Sequence, residues 1–166
     1  MSRAGTIDGL QFARDRGVVT GVIAIEDLPR LAAMGCKSAT LRYTVRGDRG
    51  ESGQPCLNIE VLGRLQLVCQ RCLGLLDFPL ALANELDLAK TLQEIEGAED
   101  DIDRVLATHS MAVAELVEDE AMLALPMVPM HDRCERPIAQ SDRAESSPFA
   151  ELAKIRSRGT GPERSH

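Results

Sequence analysis

Two short half-sites, far apart in the chain, constrain its fold more than any other feature of the sequence. One is Cys69-Gln70-Arg71-Cys72 and the other is His131-Asp132-Arg133-Cys134. Each sets two metal-ligating side chains with two residues between them, a spacing that lets both side chains of a tight turn point at one ion. Residues 73–130 separate the halves. If they meet, they staple the middle of the fold to a segment just after its main helix. A Cys3His site of this kind is closed, and therefore structural. The spacing is compatible with one structural zinc held by Cys69, Cys72, His131 and Cys134. A second reading stays open at this level. Free cysteines are among the most buried residue types, so two ordinary thiols at a strand end give the same CxxC. A redox dithiol ranks below both. Such a pair opens a helix whose N-terminus lowers the thiol pKa, whereas strand patterns flank this one.

Length and composition bound the rest. The 166 residues suit one domain with loose ends. Apolar residues make up 44% but aromatics only 2%, so the core is built from Leu, Val, Ile, Ala and Met. No apolar run reaches the roughly 18 residues that span a bilayer. The charged start, with Asp8, Arg14, Asp15 and Arg16, is unlike a signal peptide. Five cysteines without an export signal point to reduced thiols and a cytoplasmic setting. The net charge of −7 is unevenly spread. Residues 91–145 hold 14 acidic and 4 basic side chains, whereas residues 1–90 hold 11 basic and 10 acidic. The acidic balance therefore belongs to one segment and leaves the remainder free to offer a basic surface.

Periodicity gives the elements. Val18 to Ile25 is β-branched and reads as a strand. Glu26 to Met34 reads as a short helix stopped by Gly35. Thr40 to Gly47 alternates, with Leu41, Tyr43 and Val45 opposite Arg42, Thr44 and Arg46. Asp48 to Gln54 reads as a hairpin loop, Leu57 to Cys69 as a second long strand and Leu76 to Leu88 as a third. Pro79 in that third strand lacks an N–H and belongs at an edge or bulge. An acidic linker spans Glu94 to Asp103, and a short strand is expected at Arg104 to Ala107. Met111 to Leu125 is the best helix, with Val113, Val117 and Ala121 on an apolar face. Glu115, Glu118 and Asp119 form its solvated face, and Glu120 sits at the margin of the apolar stripe. The pattern predicts an α+β domain over residues 1–134: three to four antiparallel strands in a curved sheet or partial barrel, covered by one main helix. Residues 135–166 read as a polar tail with a short docking helix near 148–156.

Three blocks resemble the large ribosomal RNA subunit accumulation proteins, the YceD family. They are Leu67-Val68-Cys69-Gln70-Arg71-Cys72-Leu73, the run from Leu116-Val117-Glu118-Asp119-Glu120 through Leu123-Ala124-Leu125-Pro126-Met127-Val128-Pro129 to His131-Asp132, and Ser147-Pro148-Phe149-Ala150-Glu151-Leu152. The resemblance implies a role in synthesis, processing or stability of large-subunit (23S) ribosomal RNA. It brings no catalytic residue set with it.

The expected function is therefore a non-enzymatic ribosome-biogenesis factor, with no membrane partner. Its partner is precursor large-subunit ribosomal RNA or a large-subunit assembly protein. Arg42, Arg46 and Arg64 share the polar face of the predicted hairpin, and Arg71 lies in the turn beside it. These are the candidate phosphate contacts, although scattered arginines on a solvated strand face are common. Base stacking is poorly supported, because Phe12, Tyr43, Phe78 and Phe149 are the whole aromatic set. Two other classes compete. One is a metal-dependent RNA-processing hydrolase using Asp119, Glu120 and His131, against which adjacent helical carboxylates diverge by about 100°. The other is a protein-only regulatory adaptor that binds a basic partner through the acidic segment.

Overall fold

A computed structural model describes residues 5–50, 53–97 and 103–134. The elements in chain order are β1 (Thr6–Ile7), α1 (Gly9–Arg14), β2 (Val18–Ala24), α2 (Pro29–Ala33), β3 (Ser38–Arg49) and β4 (Pro55–Val68). They continue with β5 (Leu75–Ala89), α3 (Leu92–Glu96), β6 (Arg104–Leu106), β7 (Met111–Ala112) and α4 (Val113–Leu123). The helix expected near 148–156 lies outside the described residues, as does the third of the resembling blocks.

The α+β class holds, with five strands where three to four were expected. Their order is β2-β3-β4-β5-β6, and the sheet is not closed. β2 to β5 are antiparallel neighbours, whereas β6 runs parallel to β5 over Asp87–Ala89. Among the described residues α4 is the longest helix, accompanied by three short α-helices and a 3-10 turn at Ile25–Asp27; α2 lies within the short helix expected over Glu26–Met34. β1 and β7 form a separate two-stranded ribbon. It takes Met111 and Ala112 out of the predicted helix by pairing them with Ile7 and Thr6.

Alternation decides which face is buried. Gly21 lies opposite Tyr43, Tyr43 opposite Val61, and Val61 opposite Leu82. Leu41, Val45, Leu57, Ile59, Val61 and Leu65 are fully buried on this inner face, against Leu28, Leu31, Val113, Val117 and Ala121. Each such side chain contributes about 1.5–3 kcal/mol on leaving water. Gly47 and Gly63 sit where a Cβ would strike backbone: Phe12 and Ala13 of α1 over the first, Thr40 of β3 over the second. α1 can therefore lie directly on the sheet, and β3 and β4 can bend closely together.

Several boundaries move for identifiable reasons. β3 and β4 run further than their alternation, and the hairpin tightens to residues around Gly50 and Gln54, whose N–H and C=O bond at 2.9 Å. The helix predicted over Glu26–Met34 breaks at Leu28 (φ −125°, ψ 69°), because the residue before a proline avoids the helical region. It restarts at Pro29 and ends at Gly35, whose φ of +93° suits only glycine. Pro79 pairs with Arg64 on one side, and β6 reaches only Asp87–Ala89, so the missing N–H faces an open flank.

One predicted surface residue is buried. Glu118, assigned to the solvated face, is 2% exposed. α2 has no side-chain cap of its own. Glu118 supplies one from α4: its Oε1 accepts the Arg30 N–H at 2.7 Å and the Leu31 N–H at 3.0 Å, and its Oε2 accepts Arg30 Nε at 2.9 Å. Two orphan donors of a helix start are thereby satisfied across the fold. Glu115 is exposed as expected.

Candidate metal centre

The turn between β4 and β5 and the segment after α4 come together at one end of the sheet. Cys69 leaves β4, its N–H bonds the Gly74 carbonyl at 2.9 Å, and Leu73 N–H bonds the Cys69 carbonyl at 2.9 Å. Leu73 takes φ +62° to close this knuckle. The segment holding Pro126 and Pro129 follows α4, and the Pro129 carbonyl accepts Gln70 N–H at 2.8 Å. That bond docks the second half-site on the first.

The side chains of Cys69, Cys72, His131 and Cys134 converge, and their ligand atoms all lie within 4.8 Å of one another. Cys69 Sγ and Cys134 Sγ are 3.8 Å apart, and Cys72 Sγ and His131 Nδ1 are 3.4 Å apart. A tetrahedral zinc with ordinary bond lengths sets its S···S edges at about 3.8 Å and its S···N edges at about 3.6 Å. These two edges of the cluster already have the size of a zinc tetrahedron, so the donor set fits that ion. The ring nitrogen His131 Nε2 meets the Leu75 carbonyl at 2.9 Å. An acceptor there holds the proton on Nε2 and leaves the Nδ1 lone pair facing the sulfurs, the arrangement that orients metal-ligating histidines.

Arg71 completes the centre. Its Nε donates to Cys134 Sγ at 3.0 Å and its Nη2 to the His131 carbonyl at 2.7 Å. Three thiolates around a divalent ion would leave one excess negative charge, which this guanidinium would balance. The residues between the two cysteines gave no signal of this role, because a spacing rule specifies the ligands and is silent about what lies between them.

The sulfurs are electrostatically unequal. Burial raises the Cys69 thiol, but N–H donors from Cys72, His131 and Arg71 outweigh it and draw it down to about 5. Cys72 moves the other way. A Gly74 N–H favours its thiolate, yet burial and the neighbouring Cys69 and Cys134 sulfurs together raise it. Cys36 and Cys56 stand apart from this centre, both buried. Burial, with Glu85, Asp48 and Asp87 nearby, pushes the Cys56 thiol up to about 11.

The other candidates separate. Arg42, Arg46 and Arg64 are exposed on the outer face of the sheet, and Arg46 Nη1 meets Glu60 Oε1 at 3.3 Å. Exposed Val18, Val22 and Leu62 share that face. Arg71 is turned into the metal centre. Asp119, Glu120 and His131 have three different sets of partners. Asp119 pairs with Arg30, Glu120 Oε2 accepts Asn84 Nδ2 at 3.1 Å, and His131 belongs with the cysteines.

The family model described as "Large ribosomal RNA subunit accumulation protein YceD" matches residues 57–156. The chain belongs to the YceD family. That span begins in β4 and includes both half-sites of the candidate metal centre, and the family's name attaches a ribosome-related role to it. No curated protein and no solved structure matched the chain. Among the described residues, no helix is long and apolar enough to cross a membrane.

Proposed function

We propose that this protein is a non-enzymatic factor of the cytoplasm that supports accumulation of large-subunit (23S) ribosomal RNA, through its synthesis, processing or stability. The family match over residues 57–156 carries this reading. The form of the candidate metal centre supports it. The ligand atoms of Cys69, Cys72, His131 and Cys134 lie within 4.8 Å of one another, so together they would complete the tetrahedron of a zinc and leave no open position for a water or substrate. A zinc held there supplies rigidity, tying the segment after α4 to the β4–β5 turn. The partner is precursor large-subunit ribosomal RNA, contacted by Arg42, Arg46 and Arg64 on the outer sheet face. A second reading rests on the acidic excess of residues 91–145, which suits a basic assembly protein.

Cells lacking the protein are expected to hold too little mature large-subunit ribosomal RNA relative to the small-subunit species; normal ratios, in the cold as well as at optimal temperature, overturn both readings. Direct RNA contact makes binding steeply salt-dependent. Arg42→Glu with Arg46→Glu then weakens binding and flattens the salt slope while the fold survives. If the acidic segment acts instead, neutralising Glu96, Asp100 and Asp101 abolishes activity and the arginine changes do not.

A further inference from the structure

The sheet has two edges, and they are built differently. β6 at one edge has three residues and begins with Arg104. The stretch of β5 beyond it carries Asp77, Pro79 and Glu85, each unfavourable to a new neighbour strand. β2 at the other edge is Val18-Val19-Thr20-Gly21-Val22-Ile23-Ala24. It has no charged residue and no proline. Its pairing with β3 runs without a bulge from Val18↔Arg46 to Ala24↔Thr40. Among the described residues it is hydrogen-bonded on one side only, and Val18 and Val22 are each 59% exposed. Among those residues it has none of the usual protections of an edge strand.

The direction of the free backbone groups follows from one bond. Gly47 N–H donates to Gly17 O at 2.9 Å, in the same register that continues through β2. Odd-numbered residues of β2 therefore bond to β3. The N–H and C=O groups of Val18, Thr20, Val22 and Ala24 point away from the sheet.

The strand is also close to palindromic. An antiparallel two-fold about Gly21 sets Val18 opposite Ala24, Val19 opposite Ile23 and Thr20 opposite Val22. Inner-face residues meet inner-face residues, and the outward groups form about eight main-chain hydrogen bonds. The ends have opposite sign. Arg16 precedes the strand with a side chain 77% exposed and its Nε 3.6 Å from Asp48 Oδ1, while exposed Glu26 follows it. Asp15 at the basic end is engaged by Gln11 Nε2 at 2.7 Å. The same two-fold brings Arg16 of each copy toward Glu26 of the other.

We propose that β2 is an assembly edge, and that its partner is β2 of a second copy of this chain, paired antiparallel about Gly21. The result is a single ten-stranded sheet across two copies, isologous in the sense that one patch meets itself. The pairing buries little side-chain area, so it is a reversible dimer whose register is set by the strand and its flanking charges.

Sedimentation velocity of the full chain over a concentration series tests this. The expected result is a monomer–dimer equilibrium. Val22→Lys, at an exposed site, raises the dissociation constant about tenfold or more by setting like charges on the shared face. Its melting curve stays that of the parent. Arg16→Glu and Glu26→Arg each weaken the dimer, and the double variant restores it, because only this register opposes the two. A monomer at every concentration, a dimer indifferent to Val22→Lys, or a double variant weaker than either single change overturns the proposal.

Discussion

At the scale of single residues, the two carboxylates in the middle of α4 have opposite tasks although they stand two apart. Glu118 is an acceptor for three N–H groups of α2. Removing it orphans the buried Leu31 N–H and the partly buried Arg30 N–H, so Glu118→Ala is expected to lower stability by about 2–4 kcal/mol in urea unfolding. Glu115→Ala, one turn away and exposed, should leave the midpoint unchanged. Glu120 is held above the ordinary value of 4.5 mainly by burial; the Asn84 amide opposes this, and Asp103 and Asp119 add to it. The folded protein thus keeps a proton that the unfolded chain has released. Stability therefore falls as pH rises from about 4.5 through the folded value. Glu120→Gln keeps an acceptor for Asn84 and has no charge to desolvate. Its advantage over the parent should be absent below pH 4.5 and grow above it, as read from unfolding midpoints across a pH series. A constant difference at all pH values would remove burial of the charge as the cause.

At the scale of elements, the knuckle after β4 and the Pro126–Pro129 segment after α4 have little apolar contact to hold them. Met127 and Val128 are largely in solvent. Beyond the Gln70–Pro129 and His131–Leu75 hydrogen bonds, the four-ligand cluster and Arg71 join them. Purified protein is expected to contain about one zinc per chain, and structural zinc contributes folding free energy directly. A chelator or Cys134→Ser should lower the melting temperature by roughly 10 °C, corresponding to about 3 kcal/mol for a chain of this size. Arg71→Ala leaves the ligands in place but removes the donor to Cys134, and should weaken zinc binding about 10- to 100-fold in competition with a chromophoric chelator. Metal-free protein with an unaltered melting curve would show that hydrogen bonds alone hold the knuckle.

At the scale of the whole molecule, one apolar layer joins the inner face of β3, β4 and β5 to α4, α2 and α1. Val117 lies fully buried in it. Val117→Asp places an unpaired charge there and is expected to remove about 3–5 kcal/mol, a large share of the 5–15 kcal/mol that holds a typical domain together. Loss of the cooperative thermal transition would check this. A variant that melts like the parent would mean that α4 does not carry the core.

Much of this was legible in the sequence because it depends on local rules. Alternation placed Leu41, Tyr43, Val45, Leu57, Ile59 and Val61 on one face, and period 3.6 placed Val113, Val117 and Ala121 on another. Ligand type and spacing singled out Cys69, Cys72, His131 and Cys134 before any geometry was known. Contacts between distant segments were beyond such rules. The wheel put Glu118 in solvent, because nothing near it in sequence announces that α2 begins uncapped against it. Met111 and Ala112 fitted a helix until Thr6 and Ile7 offered them a strand partner. The short strand expected at Arg104 to Ala107 is present, but its parallel pairing with β5 had no sign in its own residues. The sequence by itself determined which side of each element is apolar and which side chains suit a metal. The tertiary structure alone decided who satisfies whom, because a hydrogen-bond partner or a charge across the fold leaves no period in the chain.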